Sequence, residues 1–181
     1  MKFVQPIRDT NKIEQVKSVL KERSYRDYMI FMIGINLGRR VSDIVRIKAK
    51  HLRNRDRFII KEKKTGKETY LLIPVNLQKD LKEYLKKYSD DDYIFQSRQG
   101  KNIPLSPKRV YQILRRAAQK CNLDNIGTHS MRKTFGYFHY QAFRDVAQLM
   151  LIFNHDEQRT TLRYIGIEQD QIDESMKKFG L

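Results

Sequence analysis

Apolar positions recur every three to four residues along most of this chain, and two short neighbouring runs read as strands, so the pattern predicts helices around one small sheet. Ile13, Val16, Val19 and Leu20 mark a leading helix at about 10–22, starting at Thr10 or Asn11 with Glu14 placed to close a capping box. A second, strongly apolar helix runs from about Arg26 to Leu37, where Gly38 can stop it, and a short helix begins near Val41. FIIKEK and ETYLLIP are strand-like runs, and KTGK between them predicts a hairpin with Thr65 and Gly66 near the turn. Pro74 ends the second strand. Asn76 is then expected to cap a helix carrying Leu77, Leu81, Tyr84, Leu85 and Tyr88 on one face. Ser106 and Pro107 form an N-cap and first-turn pair for a helix with Val110, Ile113, Leu114, Ala117, Ala118 and Cys121 inward. Three more helices fit 128–140, 144–153 and 157–165, with an amphipathic tail helix at about 168–179. The expected fold is α+β: a mainly α-helical single domain over residues 1–181 with a small antiparallel sheet.

Charge changes this picture most. The chain carries a formal +16 with pI near 9.9, more than solubility needs, and such an excess points to a polyanionic partner. Residues 39–69 hold 12 Lys/Arg against 4 Asp/Glu, residues 107–120 hold 5 against none, and the tail from 165 is net acidic. The longest apolar run, Met29 to Ile35, is far below the ~20 residues of a membrane span. MKFVQPIRD turns polar too early for a signal peptide. The single cysteine, Cys121, excludes an internal disulfide and reads as core, so a cytoplasmic protein without membrane partner is expected.

Phosphoryl transfer needs charge on the non-bridging oxygens, an in-line nucleophile and a proton for the leaving oxygen. Arg40 and Arg132, one in each half of the chain, suit the first task because a guanidinium grips phosphate oxygens bidentately. His129 stands three residues before Arg132, on the same helical face, and histidine transfers protons near neutral pH. His51 and His139 lack such a setting and read as structural. Lys64 at the hairpin tip could protonate a 5′-oxygen, with Lys67 as a competing choice and Lys61 and Lys63 left open. Tyr164, nine residues after His155, is a candidate covalent nucleophile, although a phenol needs nearby positive charge or a base to attack.

Taken together these segments resemble the catalytic domain of the tyrosine recombinase (phage integrase) family across nearly the whole chain. LGRRVSD resembles the family's Gly-Leu-Arg-x-Ser-Glu box, with Arg40 in the catalytic arginine position and Asp43 in the acidic one. THSMRKTF resembles the His-x-x-Arg box, and FNHDEQRTTLRY the Leu-Gly-His box followed by the nucleophile. KKTGK matches the hairpin lysine, best at Lys64. Two departures stand out. Leu-Gly-His has become Phe153-Asn154-His155, and Arg39 stands where the family usually has an apolar residue, which makes it an alternative to Arg40.

The resemblance implies a site-specific recombinase that works on double-stranded DNA through a 3′-phosphotyrosyl intermediate, with no metal and no cofactor. Arg40, Lys64, His129, Arg132, His155 and Tyr164 would be catalytic, and Arg39, Lys67, Arg109, Arg115, Arg116 and Lys133 would contact DNA. It also implies a homo-tetramer on DNA, with Ile165, Ile167, Ile172, Met176 and Phe179 of the tail docking on a neighbour or on the chain's own domain. An accessory DNA-bending protein is a further expected partner. The core-binding domain that many members carry is not expected here, because one leading helix precedes the catalytic part; a naturally short member, as the fimbrial phase-variation invertases resemble, is favoured over a fragment. Three rivals stay open: a DNA-binding module without chemistry, a metal-free ribonuclease and a monomeric strand-passing topoisomerase.

Overall fold

A computed structural model of the protein describes residues 4–64 and 66–179. Ten helices and a two-stranded antiparallel sheet are present among them, and no helix is long and apolar enough to cross a membrane. The mainly helical α+β architecture read from the sequence is therefore the one observed.

Helix α1 (Thr10–Arg23) starts where the pattern placed it, but the cap is Asp9, whose side chain accepts from Asn11 N. Glu14 closes no capping box. It lies too far along the helix, and it pairs with Lys17 at 2.6 Å instead. Helix α2 (Tyr25–Leu37) is buried along almost its whole length, and Gly38 ends it in the left-handed region at φ 59°. Two one-turn helices follow, α3 (Val41–Ile44) and α4 (Ala49–Leu52); the second is too short to leave a periodic trace.

Strands β1 (Arg57–Lys61) and β2 (Glu68–Leu72) pair in the register Ile59↔Tyr70. Phe58 and Ile60 point inward while Ile59 and Tyr70 face solvent, as the alternation requires. Of the two predicted turn residues, Gly66 has φ +71°, and Thr65 lies outside the described residues. Helix α5 (Val75–Leu85) begins one residue before the predicted cap: Pro74 occupies the cap position, and Asn76 is inside the helix. Proline fits there because the first turn needs no donor from it. Helix α6 (Pro107–Lys120) has the expected Ser106 cap, which accepts from Arg109 N, and Cys121 closes its far end, buried.

Helices α7 (Thr128–Phe143), α8 (Val146–Phe153), α9 (Gln158–Ile165) and α10 (Ile167–Lys178) form the C-terminal third. The main core joins α1, α2, α5, α6 and the sheet. A satellite core of Leu149, Phe153, Ile165 and Ile167 packs on Phe135 and Tyr164. Glycines let the two cores approach α7 closely. A Cβ on Gly34 would meet the Met131 sulfur at 2.5 Å, and one on Gly136 would meet Ile165 and Phe153 at 2.6 and 2.7 Å. In the tail, Ile165 and Ile167 are buried, whereas Ile172, Met176 and Phe179 are exposed.

Candidate active site

The seam between the two cores gathers residues from five separate segments. Helix α7 presents His129, Arg132 and Lys133 from its first turns, held by Ser130, whose hydroxyl accepts from Gly127 N at 3.1 Å. Helix α8 stops at Asn154 in the left-handed region, and His155 follows, its amide bonded to Met150 O. Helix α9 carries Thr161 and Tyr164, three apart and so on neighbouring positions of one face. Arg40 is the N-cap residue of α3, and the hairpin brings Glu62 and Lys67.

Tyr164 is half-buried, with its hydroxyl 3.3 Å from His129 Nδ1. Its ring meets that of His155 edge-on, centroids 5.4 Å apart, and lies under the Lys133 ammonium at 5.1 Å. Burial raises its pKa above the ordinary phenol value, while the charges of Arg132 and Arg40 pull it back. Arg132 is buried beneath it and donates to Gly38 O and Phe153 O, both at 2.8 Å, with its guanidinium 4.3 Å from the Phe153 ring centroid. That burial lowers Arg132 to about 10, still well above neutrality, so the charge persists.

His155 Nδ1 lies 3.0 Å from the Thr161 hydroxyl, which itself donates to Glu157 O. A Thr161 hydroxyl that donates to Glu157 O accepts from His155 in the tautomer with the proton on Nδ1, which leaves Nε2 unprotonated. Burial, then Arg132 and Arg40, lower His155; burial, then Arg132, Lys133 and Arg40, lower His129. Both rings are therefore held toward the neutral form in a field of arginines.

The other predicted residues separate into two groups. Arg39 is 2 % exposed and turned inward, bonded to Glu62 Oε1 at 3.2 Å and to Ile152 O at 2.8 Å. Arg40 reaches the other oxygen of Glu62 at 2.6 Å and remains partly open. Lys67 donates to Asn154 Oδ1 at 2.8 Å, beside His155, whereas Lys64 is exposed in the turn. Lys133 is buried, and Arg109, Arg115 and Arg116 stand exposed on α6. His51 accepts from Lys48 N, and His139 packs at a tilt against Phe135 and Phe143, so neither is among the residues around Tyr164. Sequence reasoning missed Glu62 and Thr161, and marked Phe153 only as a departure from the Leu-Gly-His box. Only Arg39 at an apolar position hinted that a counter-charge had to be near.

Residues 8–170 match the phage integrase family. The chain belongs to that family. It is 42% identical over 180 residues to a probable integrase/recombinase, YoeC, of Bacillus subtilis, and the match covers 99% of each. It is also 25% identical to the tyrosine recombinase XerA of Pyrococcus furiosus over 93% of this chain, but spans only 60% of that relative. Among solved structures, the fold matches a XerA recombinase with TM-score 0.76 at 18% identity, covering 96% of this chain and 65% of that one. A XerH recombinase bound to palindromic difH substrate in a post-cleavage complex matches with TM-score 0.74 at 17% identity, covering 97% and 53%.

Proposed function

We propose that the protein is a site-specific DNA recombinase in which Tyr164 attacks the scissile phosphate. The observation that carries this reading is the Tyr164 hydroxyl lying against His129 within the charge field of Arg132 and Arg40. As the phenol oxygen bonds to phosphorus, the bond to the 5′-oxygen breaks, leaving a 3′-phosphotyrosyl link and a free 5′-hydroxyl. His129 takes the phenol proton, and a hairpin lysine, Lys64 or Lys67, gives one to the departing oxygen. Arg40 and Arg132 hold the non-bridging oxygens as preorganised donors, and His155 joins them when the phosphate's charge favours its protonated form. A partner strand's 5′-hydroxyl then reverses the step, so the strand is rejoined without an external energy source or a metal ion.

Double-stranded DNA is the partner this reading requires. Arg109, Arg115 and Arg116 on α6, and the neighbouring cleft lined by Arg23, Arg98 and Lys108, supply exposed positive charge for its backbone. Joining two sites calls for an assembly of several copies, a tetramer for two duplexes, in which the exposed Ile172, Met176 and Phe179 of the tail form contacts. An accessory DNA-bending protein would lower the cost of bringing such sites together.

Covalent trapping tests the proposal. Nicked duplexes tiled across the DNA flanking the protein's own coding region are incubated with it in chelator, and adducts are resolved in SDS. An adduct formed by the wild type and lost in Tyr164→Phe is the expected result. Salt-sensitive binding without any adduct would make the chain a DNA-binding module, and an absolute magnesium requirement would overturn the scheme.

A further inference from the structure

Glu62 is an acidic residue in a lysine-rich hairpin, yet it is 2 % exposed and divides its carboxylate between two arginines. Oε1 faces Arg39 at 3.2 Å and Oε2 faces Arg40 at 2.6 Å. Arg39 continues the chain of contacts to Ile152 O, three residues before His155. On the hairpin side, Glu62 N donates to Lys67 O and Glu62 O accepts from Gly66 N, so the residue closes the turn that carries both candidate lysines. Asp43 adds a second tie by accepting from Lys63 N at 3.0 Å.

We propose that Glu62 is a positioning residue which fixes the Arg40 guanidinium and the lysine hairpin in one frame, with Arg39 as its buried counter-charge. This rests on the strand-cleavage reading above. The physical argument is one of division of labour. A lone arginine at the cleft edge can sample many rotamers, and a mobile hairpin cannot aim a lysine. A carboxylate fixed from behind by a buried arginine removes both freedoms at once, and Arg40 keeps further N–H donors for phosphate. Arg39, at a position where an apolar residue would otherwise pack, is explained as the charge that allows Glu62 to be buried.

Removing Glu62 alone strands Arg39 in the interior, so the informative variant is the double replacement Arg39→Leu with Glu62→Leu, which takes away both buried charges and keeps apolar volume. Its melting temperature is expected to stay near wild type. Single-turnover adduct formation is expected to fall by about a hundredfold, the scale of a misplaced catalytic group. Adduct formation within about twofold of wild type, a change too small to reflect lost positioning, would overturn the proposal, and so would a faster reaction, which would make Glu62 a competitor of phosphate. Hydrogen–deuterium exchange of residues 62–67 in the DNA-free protein reads the frame without any chemistry: faster exchange in the double variant is expected, and unchanged exchange would overturn the tether. A wild type that forms no adduct would sink the strand-cleavage reading, and the exchange result would then decide the tether by itself.

Discussion

His129 Nδ1 and the Tyr164 hydroxyl meet at 3.3 Å although 35 residues separate them in the chain. Their contact joins the first turn of α7 to α9, and its chemistry is set by opposite pKa displacements. The phenol is raised by burial and the imidazole is lowered by it, so near neutral pH the pair is a protonated phenol beside a neutral ring able to accept its proton.

The first prediction concerns pH. Cleavage is expected to level off above about pH 6.5, the ordinary histidine value, and to fall in acid as His129 protonates. His129→Gln should flatten that acid limb and lower the plateau by about a hundredfold, in the usual range for a general base. Single-turnover adduct formation across pH, in wild type and variant, is the measurement. An identical acid limb in both would assign the proton transfer to another group.

Stability should follow pH in the same direction for a separate reason. His51, His129, His139 and His155 are all lowered, in each case first by burial. An unfolded chain binds protons at these residues near pH 6.5 that the folded chain refuses. Stability is therefore fully present above that value and is lost as pH falls below it. His139 offers a clean probe, because it packs against Phe135 and Phe143 and makes no hydrogen bond or ring contact with Tyr164 among the described residues. In thermal melts from neutral to mildly acid pH, His139→Phe should melt with a shallower pH slope than wild type. An unchanged slope would remove His139 from the balance.

Most of this fold could be read in the sequence because its helices are long, periodic and capped by short polar residues or glycine. Ser106–Pro107 and Gly38 mark their boundaries through backbone chemistry alone. Helix α4 and the cap of α5 could not be read so well: one turn carries no period, and Asn76 and Pro74 are both acceptable at a helix start. In the site, resemblance to the family's boxes singled out His129, Arg132, His155 and Tyr164, which the fold brings together. Nothing local distinguishes Glu62 from its charged neighbours, since its burial depends on Arg39 and Arg40 more than twenty residues earlier. The same limit applies to Arg39 and Lys133, whose burial reflects tertiary packing.

Gly136 is the third test. It has no unusual φ, but α7 passes so close to the satellite core that a methyl group would press on Phe153 and Ile165. Gly136→Ala should gain helix propensity and still destabilise by about 1–3 kcal/mol through overpacking. Because Phe153 supports Arg132 and sits beside the ring of Tyr164, centroids 5.7 Å apart, cleavage should fall along with stability. Denaturant melts and adduct assays on one preparation check both. A stability equal to or above wild type would show that the two cores part without cost.

The hairpin lysines are separable by leaving-group chemistry. Lys67 is tied to Asn154 at 2.8 Å, next to His155, whereas Lys64 projects from the turn where it is free to follow a bound groove. Under the proposed strand-cleavage reading, Lys64 is expected to reach the 5′-oxygen and Lys67 to act as a strut between the hairpin and the end of α8. Replacing the scissile 5′-oxygen by sulfur makes a leaving group that needs no proton. Lys64→Ala should lose about a hundredfold or more on ordinary DNA, the scale of general acid catalysis, and recover on the sulfur substrate. Lys67→Ala should lose less, and equally on both substrates, because it disturbs placement and donates no proton. If the sulfur substrate rescues Lys67→Ala and leaves Lys64→Ala impaired, the two roles exchange, and the short contact to Asn154 becomes the resting position of the acid.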